Sequence, residues 1–166
     1  MKDLSLHILD IVENSVRAES KEISIELKLS NKSDELTLFI EDDGKGMPIE
    51  IAEKAHDPFY SSRTTRTIGM GLALLKQNAE QTGGSFSLVS YPESGTWVKV
   101  IFHTSNIDCP PLGDLAGIIS ILMTSNPTIK INFSIKKGEN QYYLDSFACK
   151  TILGEENFQH PTVIKN

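Results

Sequence analysis

The sequence predicts a two-layer α/β sandwich of the α+β kind, one sheet with helices covering a single face. Three observations lead there. Residues 3–18 and 71–82 are of helical length and have no proline or internal glycine. Ile23, Ile25, Leu27 and Leu29, then Leu36, Leu38 and Ile40, alternate with more polar neighbours at the period of half-buried strands. The order helix, two strands, short helix, polar segment, helix, two strands puts one long helix before each strand pair.

The first helix, DLSLHILDIVENSVRA, carries Asp3, His7, Asp10, Asn14 and Arg17 in a stripe roughly 80° wide at 100° per residue. Leu4, Ile8, Leu9, Ile11, Val12, Ser15 and Val16 fill most of the remaining circumference. So narrow a polar stripe suits a wall facing an enclosed polar ligand, and the alternative is an ordinary amphipathic surface helix. Asn31–Asp34 turns the first strand into the second, making an antiparallel hairpin.

The second strand runs into Asp42-Asp43-Gly44-Lys45-Gly46-Met47. A carboxylate at a strand end can accept from an exocyclic amine, and the glycines let the backbone approach a flat ligand. The alternative is a plain acidic turn. Pro48 starts a short helix through about Lys54, and residues 56–71 follow, rich in hydroxyls and carrying Arg63 and Arg66. That composition suits a mobile lid whose cations meet phosphates, or else a solvated surface loop.

Gly69-Met70-Gly71-Leu72 opens the second long helix, which stops at Gly83-Gly84. Free N–H groups at such a helix start, with the positive end of the helix dipole behind them, form a phosphate site. No Gly-Lys-Ser/Thr follows, which excludes a Walker A loop, and the third glycine of a Rossmann fingerprint is missing. Strands over about 85–91 and 96–103 close this part, assigned as domain 1–105. An extension over 106–155 has a helix at about Asp114–Thr124, a strand through Ile129–Ile135 and a second over Gln141–Phe147, followed by a patternless tail, 156–166.

Composition narrows the function. With 166 residues the chain can bury roughly 70% of its unfolded surface and needs no disulfides. Its cysteines, Cys109 and Cys149, are far apart, which fits a reducing cytoplasm and argues against structural zinc. No apolar run approaches membrane-spanning length, and Asp3 and Asp10 within the amino-terminal leucines exclude a signal peptide. A net charge of −6 disfavours nucleic acid as a partner. Seven of the eleven glycines lie between Gly44 and Gly95, which places the candidate site in the middle of the chain.

In this order and spacing, residues 3–103 resemble the GHKL superfamily of ATP-binding domains, which includes DNA gyrase B, the ninety-kilodalton heat-shock chaperone, histidine kinases and MutL. ILDIVENSVRA resembles the N box, EDDGKGM the G1 box, DPFYSSR the lid motif of histidine kinases, IGMGLALLK the G2 box, and Gly95-Thr96 the last glycine motif. The resemblance is nearest to histidine kinase catalytic domains. It implies a Bergerat-type fold with a mixed sheet and helices on one face, and it implies Mg2+ and ATP as cofactors.

Carried over by position, the resemblance makes Asn14 the Mg2+ ligand and Asp42 the acceptor for the adenine amine. Gly44 and Gly46 then shape the adenine pocket with Met47 packing near the ring, Gly69, Gly71 and Leu72 offer backbone N–H groups to the phosphates, and Thr96 sits close to the adenine water network. Arg17 and Arg63 are directed at the phosphates. Where hydrolysing members have a Glu four residues before the Asn, this chain has the shorter Asp10, the expected catalytic base, with Glu13 ranked second. His7 is expected to be structural or pocket-lining rather than a phosphoacceptor, and no transducer-like segment follows. The expectation is a stand-alone cytoplasmic Mg-ATP-binding protein, a slow ATPase or an ATP-dependent conformational regulator. The alternative is a protein kinase acting in trans on a separate protein. Either reading expects a protein partner and no membrane, and accommodates a homodimer.

Overall fold

The computed structural model describes residues 3–57, 59 and 70–158. Its elements are α1 (Leu4–Arg17), β1 (Glu22–Ser30), β2 (Glu35–Asp42), α2 (Ile49–Ala52), α3 (Gly71–Gln81), β3 (Ser85–Tyr91), β4 (Gly95–His103), α4 (Leu115–Ser125), β5 (Lys130–Lys137), β6 (Asn140–Asp145), α5 (Ser146–Leu153) and α6 (Glu155–Phe158). The six strands form one mixed sheet in the order β3-β4-β2-β1-β5-β6. The β1–β5 pair is parallel and the other neighbours are antiparallel.

Strand alternation decides which face is covered. Ile23, Ile25 and Leu27 of β1, Leu36, Leu38 and Ile40 of β2, and Val98, Val100 and Phe102 of β4 are buried on one face. Across the ladder, Ile25 pairs with Ile40 and Ile40 with Val98, so the inward residues stand in rows. Against these rows α1 lays Leu4, Ile8, Ile11 and Val12, and α3 lays Leu72, Leu75 and Ala79. The opposite face carries the tilted ring pair Phe39–Trp97, with centroids 6.0 Å apart.

Two local devices set where α1 begins. Asp3 caps it, accepting from Leu6 N–H at 3.0 Å. The N–H groups of Leu4 and Ser5, unpaired within a helix's first turn, donate to Pro111 and Leu112 carbonyls at 2.9 and 3.0 Å. The segment before α4 thus holds the start of the helix that bears the polar stripe.

The structure corrects the expectation at the carboxyl end. β6 stops at Asp145, not at Phe147, because the Asp145 carboxylate accepts from the N–H groups of Phe147 and Ala148 at 2.8 and 3.1 Å and caps α5. The segment expected to be patternless contributes α6, whose Phe158 is buried in the core. α2 is also shorter than expected, ending at Ala52.

Candidate functional site

A cavity of about 390 Å³ opens between α1, the ends of β2 and β4, the loop 43–48 and the first turn of α3. Its apolar walls include Ile11, Ile40, Ile51, Leu72, Leu88 and Val98, a surface suited to a flat ring. Its polar groups are few, which makes their placement decisive.

Asp42 is the most constrained of them. It is the last residue of β2, 8% exposed, and lines the cavity. Ser15 Oγ of α1 donates to its Oδ2 at 2.6 Å, and the Gly44 N–H donates to its Oδ1 at 2.9 Å. Ser15 is itself held in place, since its carbonyl accepts from Ser20 Oγ at 2.7 Å just past the helix end. A buried carboxylate held by two donors is oriented as well as stabilised.

The loop after Asp42 must pass close to other backbone. A Cβ on Gly46, whose φ is +66°, would lie 1.9 Å from the Tyr91 carbonyl oxygen. One on Gly44 would lie 2.6 Å from Ser20 Oγ. The close passage is stitched by Lys45, whose N–H donates to Ala18 O at 2.9 Å and whose carbonyl accepts from Glu93 N–H at 2.6 Å. Met47 N–H donates to Ser90 Oγ at 2.8 Å. Asp43 faces away from this passage and accepts from the Lys21 and Glu22 N–H groups.

On α1, Asn14 and Arg17 line the same cavity. Arg17 Nη1 donates to Asn14 Oδ1 at 2.9 Å, and Nη2 lies 3.5 Å from the Glu13 carboxylate. One turn back, Asp10 is not part of the cavity wall. Its Oδ2 is buried and has no hydrogen-bond partner among the described residues. Burial, then the nearby Glu13 charge, pushes the Asp10 carboxyl above its ordinary value, with Arg17 opposing. His7 is buried against α3, its Nε2 3.0 Å from Asn78 Nδ2, and burial pulls its pKa down to about 4. That environment holds the imidazole neutral and makes His7 a packing residue.

Of the site residues named from the sequence, Asn14, Arg17, Asp42, Gly46, Met47, Leu72 and Thr96 surround one cavity. Gly44 adjoins it through its bond to Asp42, and Gly71 is the buried first residue of α3. Met70 stands at the N-cap position of α3 and makes no side-chain cap bond, so among the described residues no capping side chain takes the first N–H groups. Arg63 and Gly69 lie outside the described residues. The sequence reading passed over Ser15 and Ser90. Each is a small hydroxyl at an inward position of an apolar pattern, and a buried hydroxyl requires a partner.

The family described as histidine kinase-, DNA gyrase B- and HSP90-like ATPase matches residues 2–106. The sensor histidine kinase YxdK of Bacillus subtilis is 29% identical over 108 residues, covering 62% of this chain and 33% of that protein. The chain spans a third or less of the length of the curated relatives considered, so the likeness is to one part of them. Among solved structures, the N-terminal domain of a DNA repair protein superposes with a TM-score of 0.62 at 18% identity, over 87% of this chain and 53% of that one. The MutL ATPase domain of Aquifex aeolicus, complexed with ADP, gives 0.57 at 15%, over 87% and 63%. These two share the fold. With more than half of its length matched by the family, this chain belongs to the histidine kinase-, DNA gyrase B- and HSP90-like ATPases and carries their ATP-binding domain.

Proposed function

We propose that the cavity receives the adenine of Mg-ATP, with Asp42 accepting from the exocyclic amine. The observation that carries this is the fixed Asp42 carboxylate, held by Ser15 and Gly44, in a cavity whose walls are mostly apolar. Gly44 and Gly46 keep the loop close, Met47 packs beside the ring, and Thr96 adds a hydroxyl next to Asp42. The phosphates extend toward Gly71 and Leu72 at the start of α3, with Arg17 as a cation, and the family resemblance adds Gly69 and Arg63 to the phosphate-binding set.

Among the described residues no three His, Cys, Asp or Glu side chains gather as a self-sufficient metal site. That fits a cation held jointly by one amide oxygen, Asn14 Oδ1, and the nucleotide. Bound there, Mg2+ supplies charge neutralisation at the phosphates. Asn14 Oδ1 accepts from Arg17 on one lone pair and would have its second for the cation. Asn14→Ala should therefore lower ATP affinity in Mg2+ while leaving the affinity in chelator nearly unchanged. Equal affinities in wild type and variant under both conditions count against the metal assignment.

The chemistry proposed is slow hydrolysis, with Asp10 as the base for water, or ATP used as a conformational signal read by a protein partner. Asp10 does not line the cavity, and it acts on the attacking water directly or through one further water. The kinship with sensor histidine kinases favours a second reading, transfer of the γ-phosphoryl to a separate protein. Following labelled γ-phosphate separates the two: release as free phosphate supports hydrolysis, and label appearing on a protein of the cell extract supports transfer. Cytoplasmic residence suits a user of ATP with two free thiols, Cys109 and Cys149. Among the described residues no helix is long and apolar enough to cross a membrane.

A further inference from the structure

Ser90, Thr96 and Asp42 stand in one row across the sheet, Ser90 opposite Thr96 and Thr96 opposite Asp42. Paired residues point to the same face, so this row lies at the cavity end of the inward surface, below the apolar row Leu88, Val98 and Ile40. Ser90 is 3% exposed and does not itself line the cavity.

Three groups contact Ser90 Oγ: Met47 N at 2.8 Å, Gly95 O at 3.1 Å and Thr96 Oγ1 at 2.7 Å. A hydroxyl has one proton and two lone pairs. The Met47 N–H can only donate, so it takes one lone pair. The Gly95 carbonyl can only accept, so it takes the proton. The remaining lone pair must then receive the Thr96 proton. This is the single assignment that satisfies all three contacts, and it leaves Thr96 Oγ1 with lone pairs alone to offer the cavity.

We infer that Ser90 is a specificity-determining positioning residue that fixes Thr96 as an acceptor, so that Asp42 and Thr96 together select a ring edge bearing an amine over one bearing a carbonyl. The inference rests on the nucleotide reading of the cavity and deepens it. An amino group at position 6 of a purine offers two N–H donors to two acceptors. A 6-oxo purine reverses that edge: O6 stands as a third acceptor where the amine donated, its only edge donor is N1–H, and the acceptor fixed beside position 6 loses its partner, which costs more than a missing contact. Without Ser90, the Thr96 hydroxyl can rotate and turn its proton to the cavity, where it would meet the oxo group as a donor.

The test is the ratio of dissociation constants for ITP and ATP, which differ at position 6 (oxo against amino) and in the proton that ITP carries on N1. It is measured by calorimetry in wild type, Ser90→Ala, Ser90→Cys and Thr96→Val, with thermal melts as a check on folding. Ser90→Cys keeps the packing with a weaker donor and acceptor and carries the test where Ser90→Ala fails to fold. Wild type should prefer ATP, and the Ser90 variants should shrink the preference by roughly tenfold, mostly through tighter relative binding of ITP. In Thr96→Val, adding Ser90→Ala should change the ratio no further, because the hydroxyl it controls is gone. Equal weakening of ATP and ITP in the Ser90 variants overturns the inference and leaves Ser90 as a structural tie for the Met47 loop. Failure of wild type to bind either nucleotide removes the nucleotide reading, and this one with it.

Discussion

Asp42 and Thr96 face each other directly across the antiparallel β2–β4 ladder, so a carboxylate and a hydroxyl from distant parts of the chain reach the same end of one cavity. A one-residue slip of β2 in that register would turn Asp42 to the open face of the sheet while Thr96 kept its own, parting the two. The site therefore depends on sheet pairing as much as on the glycine loop. Several outcomes follow from its geometry.

Gly46 cannot carry a side chain. Its φ of +66° and the 1.9 Å approach of a Cβ to the Tyr91 carbonyl both forbid one. Gly46→Ala should destabilise the fold by about 2 kcal/mol or more and abolish ATP binding at temperatures where the protein still folds. Chemical denaturation and nucleotide titration of the same sample check both halves.

Asp10 must be ionised to act as a base, and its pKa is raised above 3.8 by burial and by Glu13. Hydrolysis should therefore rise with pH through that elevated value, giving an acid limb above the ordinary aspartate range. Asp10→Asn should lower kcat by about 10²-fold or more while leaving ATP affinity within a fewfold. Glu13→Gln removes the second cause of the shift and should move the limb toward lower pH. A pH profile of kcat that is unmoved in Glu13→Gln contradicts this account of Asp10.

His7 is neutral in the folded state, its pKa lowered from 6.5 to about 4 by burial, while the unfolded chain binds a proton near 6.5. Between these values the unfolded state holds more protons, so this contribution to stability is present above pH 6.5 and is lost as pH falls toward 4. The loss is on the order of 3 kcal/mol once the pH lies below both values. In His7→Leu that slope should flatten, as read from denaturation midpoints at several pH values, whatever the variant's absolute stability.

Much of this was legible in the sequence, for reasons that differ by element. The alternation of Ile23–Leu29 and Leu36–Ile40 reports a one-sided sheet directly, and the burial of those residues follows it. The polar stripe of α1 and the Asp42–Met47 loop were legible because glycine spacing and helical period are local signals. The start of α5 was not. The aromatic and apolar residues Tyr142, Tyr143, Leu144 and Phe147 suit a strand running through Phe147, whereas the Asp145 carboxylate captures two N–H groups and turns the chain into a helix. Ser15 and Ser90 were missed because a small residue in an apolar pattern shows its partner only when the fold brings Asp42, Met47 and Thr96 beside it. Nor does the helical stripe show that Asp10 stands off the cavity wall, since residues on one stripe lie at different depths along the axis.

The most direct test titrates Mg-ATP by calorimetry into wild type and Asp42→Ala, with melting curves to confirm that both are folded. Ser15 Oγ also lies 3.3 Å from the Ile11 carbonyl, so it keeps an acceptor when the carboxylate is removed and the variant should fold. The account predicts saturable binding by wild type and a loss of roughly 10- to 100-fold in affinity for Asp42→Ala, the worth of a hydrogen bond to a charged group. Undiminished ATP affinity in a folded Asp42→Ala protein would contradict it, because the carboxylate could then have no part in holding the base.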